Sequence, residues 1–335
     1  MCGIAGIFDV KQSKEFDRVT LASNLLRAIE VRGRHATGYA YHDDEGSTII
    51  VKADITASDF VEAAPLFAEP FAVTPRTVLL HTRHATQGKA SDNENNHPIY
   101  SKVTGLTLIH NGWLTNEKQI LRKYRLKKDG EVDSETILRL IEHFLLTEKK
   151  RISTAIKLAM NELEGRFACA LISEKYPDAL WLWTRGNPLA GYRDDTTGAF
   201  IFASTPSLLT LALGQSNITP KKIGALADGR LICLKVKNGK MHGAFGKLKT
   251  YRRARQKPIH NDLPLIGMPR SDLDAAWSQW KEQGKQIDLM LAQEPKRKVH
   301  VKCKCGNITP IGEATYETGH PWSQKHILCC PKCRN

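Results

Sequence analysis

The sequence predicts an α+β sandwich for residues 2–236. Two observations carry that prediction. Short runs rich in Val, Ile, Leu and aromatic residues are bounded by Gly, Asp or Pro, as strands are. They are interleaved with amphipathic stretches in pairs and runs, not in strict βαβ repeats, which argues against a doubly wound parallel sheet.

Strands are expected at 4–8, 38–42, 48–51, 78–81, 106–110, 167–173, 180–184, 200–203 and 231–236. Helices are expected at 17–30, 59–67, 117–124, 135–147, 154–163 and 207–213. The fourth carries Ile137, Leu138, Ile141, Phe144 and Leu145, the spacing of one helical face. Ser153 is the expected N-cap of the fifth, with Gly165 just past its end. Cys169 and Cys233 lie inside apolar strand-like runs and read as small core residues.

The composition changes after Val236. Residues 237–300 read as a basic linker or arm, with a helix near 271–292 whose packing residues would be Leu273, Trp277, Trp280, Ile287 and Leu291. Residues 301–335 form a cysteine-rich module. The charge follows the same division. Residues 1–234 hold 29 Lys+Arg against 27 Asp+Glu, net +2; residues 235–335 hold 20 against 8, net +12. A basic region of this kind suits an acidic partner such as nucleic acid, or serves only as a solvated tail. No apolar run approaches the ~18–20 residues of a membrane span, and MCGIAGIFDV is too short for a signal peptide. A cytoplasmic location is the expectation.

Five cysteines crowd the last 33 residues, where a reducing compartment favours metal binding over disulfides. Cys303 and Cys305 form one close pair, Cys330 and Cys333 another, with 24 residues between Cys305 and Cys330. Two such pairs supply the four thiolates of a structural Zn²⁺, as in a zinc ribbon. The first pair is tighter than the usual C-x-x-C, and Cys329, His320 and His326 are reserve ligands. So small a module lacks the core to fold unaided, and a metal would account for its folding.

Cys2 is the pivotal residue at the other end. With Met1 removed, its α-amine, of pKa about 7.7–8.0, would stand beside its own thiol, so one residue supplies nucleophile and base. Around it are CGIAGIF at 2–8, VRGRHATG at 31–38, HTRHATQG at 81–88, NNHPI at 95–99, HNGWLTN at 110–116, DSE at 133–135, LEGRFACAL at 163–171 and TRGNPLAGY at 184–192. In this order and spacing, these resemble the class II glutamine amidotransferase domain over most of residues 2–236.

The resemblance implies a four-layer αββα sandwich of the N-terminal nucleophile hydrolase kind and a glutaminase half-reaction. Cys2 would attack the side-chain amide, and the Asn111 amide with the Gly112 N–H would stabilise the oxyanion. Arg83 would clamp the glutamine α-carboxylate and Asp133 would pair with its α-ammonium. Thr86 and His97 would shape the pocket, and Arg32 with Gly33 would support Cys2. His84 and His110 stay open between structural and functional roles. One departure is His35, standing where many members carry Asp. No P-loop or acceptor-domain motif follows, so ammonia is expected to pass to a separate synthetase or modifying enzyme. The rival expectation is a nucleic-acid-binding zinc-ribbon protein that keeps the amidotransferase domain as a scaffold.

Overall fold

The computed structural model describes residues 2–12, 16–63 and 74–250, together with the backbone of four short strands between 300 and 329. Among the described residues thirteen strands precede residue 250: β1 Gly3–Phe8, β2 Ala36–His42, β3 Thr48–Ala53, β4 Thr77–Arg83, β5 Ile99–Tyr100, β6 Leu106–Leu114, β7 Gly165–Ser173, β8 Ala179–Arg185, β9 Ala190–Arg193, β10 Phe200–Ala203, β11 Gly224–Ala225, β12 Arg230–Lys237 and β13 Lys240–Lys247. The helices are α1 Arg18–Glu30, α2 Ala57–Glu62, α3 Glu117–Tyr124, α4 Asp133–Leu146, α5 Ile152–Glu162 and α6 Pro206–Gln215. The strands form a seven-stranded sheet, β11-β9-β10-β1-β4-β2-β3, and a six-stranded sheet, β13-β12-β8-β7-β6-β5, both antiparallel.

Side-chain alternation along the strands sorts the core into layers. Ala5, Ile7, Tyr39 and Leu80 of the first sheet pack on Leu25 of α1, Phe60 of α2 and Leu209 of α6. Leu108, Phe167 and Trp183 of the second sheet pack on Ile120, Ile141 and Ile156 of α3, α4 and α5. Ile4, Phe8, Leu79, Ile109, Ala170 and Phe202 fill the space between the sheets. The order is helix, sheet, sheet, helix.

Side-chain capping accounts for three of the six described helix starts. Asp17 accepts from the Thr20 N–H, Thr56 from Asp59 and Thr205 from Leu208. Two expectations are corrected. Ser153 does not cap α5; the helix begins one residue earlier, and the Ser153 hydroxyl instead accepts from Trp181 Nε1 at 3.0 Å. The boundary expected after Val236 falls inside a hairpin: β12 and β13 pair along their whole length through Asn238-Gly239, both at positive φ. The sandwich therefore runs on past 236. Leu248 donates to Gly229 O, and the guanidinium of Arg185 binds the carbonyls of Met160, Leu163 and Lys249. Among the described residues no helix is long and apolar enough to cross a membrane.

The helix expected at 271–292 lies outside the described residues. Nearer the end, His300–Lys302 pairs antiparallel with Ile308–Pro310, and Thr315–Tyr316 with Leu328–Cys329.

Candidate active site

Register and alternation assemble the site at one end of the sandwich. On β1, Ile4 points between the sheets, so Cys2, two residues earlier, stands on the same side. On the neighbouring β4, Gly3 pairs with Thr82, which brings Cys2 level with Arg83. Leu79 faces the inter-sheet space and Arg83 lies four residues on; Ile109 does the same on β6, and Asn111 follows two residues later.

Cys2 is held from both sides. Arg32 Nε donates to its carbonyl oxygen at 2.9 Å, and its Sγ lies 3.7 Å from His84 O. Burial pushes the thiol up from its ordinary value, while the nearby Arg83 charge opposes the shift and that of Asp133 adds to it. Gly33 must lack a side chain: a Cβ there would sit 2.4 Å from the Arg83 carbonyl carbon. His35 accepts from the Ala85 N–H through Nδ1 at 2.9 Å, so an imidazole nitrogen serves as the acceptor that a carboxylate would offer at this position.

Arg83 is 2% exposed. Its Nη1 donates to Asn96 Oδ1 at 2.9 Å, and its Nη2 to the carbonyls of Gln87 and Gly88. Those three bonds tie the loop after β4 to the strand end. A guanidinium has five N–H groups, which leaves Nε and one Nη1 hydrogen without a protein acceptor among the described residues. Thr86 is exposed on that loop.

Asn111 is 0% exposed, and neither Oδ1 nor Nδ2 has a hydrogen-bond partner among the described residues. A buried amide left unpaired is costly, so this one invites a polar group from outside the protein. Its backbone oxygen accepts from Asn187 Nδ2 at 2.9 Å. Gly112 has φ 154°, and a Cβ there would lie 2.0 Å from Arg166 O. Only glycine lets β6 pass so close to β7. Asp133 opens α4 without being its N-cap, which is Val132; its Oδ2 accepts from the Leu114 N–H at 2.8 Å, binding the helix start to the end of β6.

His97 is stacked on His81 at 4.1 Å between ring centroids and tilted against His110 at 6.4 Å. Burial keeps all three below their ordinary values, His81 at about 3. His110 Nδ1 lies 2.8 Å from Ser134 Oγ and 3.9 Å from Asp133 Oδ1. Asn96 and Asn187 are the residues that motif reading missed as contributors, although both lie inside motifs it singled out. The cysteines proposed for zinc lie outside the described residues, and among the described residues no group of His, Cys, Asp or Glu is set to hold a metal. Cys169 and Cys233 are buried free thiols.

The fold and the site's geometry are similar to those of glutamine amidotransferase domains. The family model for the glutamine amidotransferase domain matches residues 81–211. The glutamine–fructose-6-phosphate aminotransferase (isomerizing) of Bacteroides thetaiotaomicron is 28% identical over 192 residues, covering 56% of this chain and 30% of the relative. The enzyme of the same name from Streptococcus agalactiae is 32% identical over 196 residues, with the same coverage. The chain thus spans about a third of the length of these curated relatives. Among solved structures, the glutamine phosphoribosylpyrophosphate amidotransferase of B. subtilis matches at TM-score 0.55 and 20% identity, over 72% of this chain and 49% of that one. That likeness concerns the fold.

Proposed function

We propose that this chain hydrolyses L-glutamine at Cys2 and hands the ammonia to a separate acceptor. The unpaired amide of Asn111, buried beside Gly112 at the level of the nucleophile, is the observation that best supports this reading. The α-amine of Cys2 takes the thiol proton, and the thiolate attacks the side-chain carboxamide carbon. Negative charge gathers on the amide oxygen, where Asn111 Nδ2 and the Gly112 N–H donate. The protonated amine returns its proton to the leaving nitrogen and ammonia departs. Water then attacks the γ-glutamyl thioester, its proton going to the amine, and glutamate leaves with the thiol restored. Arg83 holds the α-carboxylate and Asp133 the α-ammonium.

The proposal extends to the C-terminal region. Cys303, Cys305, Cys330 and Cys333 bind one structural Zn²⁺, supported by the antiparallel pair His300–Lys302 and Ile308–Pro310, between which Cys303 and Cys305 fall in the sequence. The net +12 of residues 235–335 would then dock the enzyme on nucleic acid or on an enzyme that modifies it.

The deciding experiment is a glutaminase assay. Chains whose mass begins at Cys2 should release glutamate and ammonia from glutamine, and Cys2→Ser should not, while keeping the wild-type circular dichroism. Equal turnover by Cys2→Ser would refute the nucleophile, and no turnover by the wild-type chain would leave the scaffold reading.

A further inference from the structure

We infer that Lys52, which belongs to none of the motifs above, is a positioning residue for glutamine binding: through Asn96 it fixes the guanidinium of Arg83. The inference rests on the reading of Arg83 as the carboxylate clamp. Lys52 lies on β3 opposite Gly38 of β2. A Cβ on Gly38 would fall 2.2 Å from His97 O, so the bare glycine lets the 96–98 segment cross close over the sheet. Beside that crossing, Lys52 Nζ donates to Asn96 O at 2.9 Å.

Asn96 is fully buried, and every polar atom it has is engaged. Its carbonyl takes Lys52, its Oδ1 takes Arg83 Nη1 at 2.9 Å, its Nδ2 donates to Ala90 O and Asn93 Oδ1, and its N–H donates to Asn93 O. With the opposite edge of Arg83 bound to the carbonyls of Gln87 and Gly88, the guanidinium is held between two anchors, and Lys52 secures one of them. A clamp fixed before glutamine arrives loses less entropy on binding.

Lys52 is also a group that titrates where enzymes work. Burial pulls its ammonium down to about 8, against the pull of Glu94 and Asp92 beside the Asn93–Asn95 turn and Glu135 on α4, and with the push of Arg83 on β4. His81 and His97, the other ionisable groups nearby, stay neutral through burial. Below about pH 8 the bond to Asn96 O is charge-assisted; above it the amine is neutral and the hold weakens. KM for glutamine should therefore rise as pH passes about 8, without a matching change from this group in kcat.

The test compares steady-state glutamine hydrolysis by wild type, Lys52→Met, Lys52→Arg and Arg83→Ala across pH 6.5 to 9.5. Lys52→Met should raise KM roughly three- to tenfold at pH 7, the scale of one typical hydrogen bond, with kcat nearly unchanged. Lys52→Arg, charged throughout this range, should keep a low KM and lose the alkaline rise seen in wild type. If Arg83→Ala raises KM but Lys52→Met does not, the role of Lys52 is wrong and the clamp stands. If Arg83→Ala leaves KM alone, the clamp itself fails. An alkaline rise that persists in Lys52→Arg, or a loss of kcat instead of affinity in Lys52→Met, would reduce Lys52 to a structural contact.

Discussion

Arg32 and Cys2 are 30 residues apart in sequence and joined by a 2.9 Å hydrogen bond from the guanidinium Nε to the Cys2 carbonyl oxygen. Arg32 follows α1 directly, with its N–H bonded to Ile29 O. The backbone of Cys2 is thereby referred to a helix packed on the outer face of its own sheet. Once Met1 is removed, as proposed, Cys2 would have no preceding residue to hold it, and this bond would supply that restraint. Lysine lacks the planar Nε donor. Arg32→Lys should lower kcat by about tenfold, a cost of ~1.4 kcal/mol, and leave KM for glutamine within a small factor. Steady-state kinetics at saturating glutamine will check it; an unchanged kcat would detach Arg32 from the nucleophile.

Asn111→Ala should reduce kcat by roughly 10²–10³ with little change in KM, as for loss of one oxyanion donor. Asn187→Ala should give a smaller loss in the same direction. Its side-chain amide donates to the Asn111 carbonyl, and losing it would leave the strand free to shift the amide. Because the two residues share one contact, the double variant should be less than additive. Additive losses in the double-mutant cycle would indicate separate roles.

His42 gives a prediction about stability. It ends β2, is buried, and neither ring nitrogen has a partner among the described residues. Burial lowers its pKa from 6.5 to about 4. The unfolded chain binds the proton first, so stability is fully present above about pH 6.5 and declines as pH falls toward about 4, by at most ~1.4 kcal/mol per pH unit from this group. His42→Phe removes both the titration and the unpaired nitrogens. It should flatten the pH dependence of the urea midpoint between pH 6.5 and 4.5. A slope equal to wild type would assign the acid sensitivity elsewhere.

For the C-terminal region, metal analysis should find about one zinc per chain, lost when Cys330 and Cys333 become Ser. Binding to DNA or RNA should weaken steeply with salt and vanish in a chain cut after Thr250. The cut belongs there because the hairpin of β12 and β13 occupies 230–247 and Arg185 still binds Lys249 O. Equal binding by the shortened chain would place the polyanion site on the sandwich or remove it.

What the sequence made legible follows from how local each signal is. α3 was readable to the residue because its apolar face and flanking turns are contiguous in the chain. β13 was missed because KMHGAFGK is an edge strand with little buried surface, Phe245 being 71% exposed, so no alternation marks it. The Asn238-Gly239 turn was the available sign. Ser153 was misread because its partner, Trp181, is 28 residues away. Cys2, Arg83, Asn111 and Asp133 stood out through motifs. Asn96, Asn187 and Lys52 did not, since what they do depends on atoms brought near by sheet register and loop crossing, which no single stretch of sequence records.

The three carbonyls gathered by Arg185 have a mechanical consequence. Met160 and Leu163 belong to the end of α5, and Lys249 to the strand-to-tail junction. A pull on the chain beyond Thr250 would load this side chain first and pass into α5 and β8. Cys2 and Arg83 lie on the other sheet, out of that line of force. If a partner holds the basic end, as proposed, a pull on it would leave the spacing between Cys2 and Arg83 unchanged.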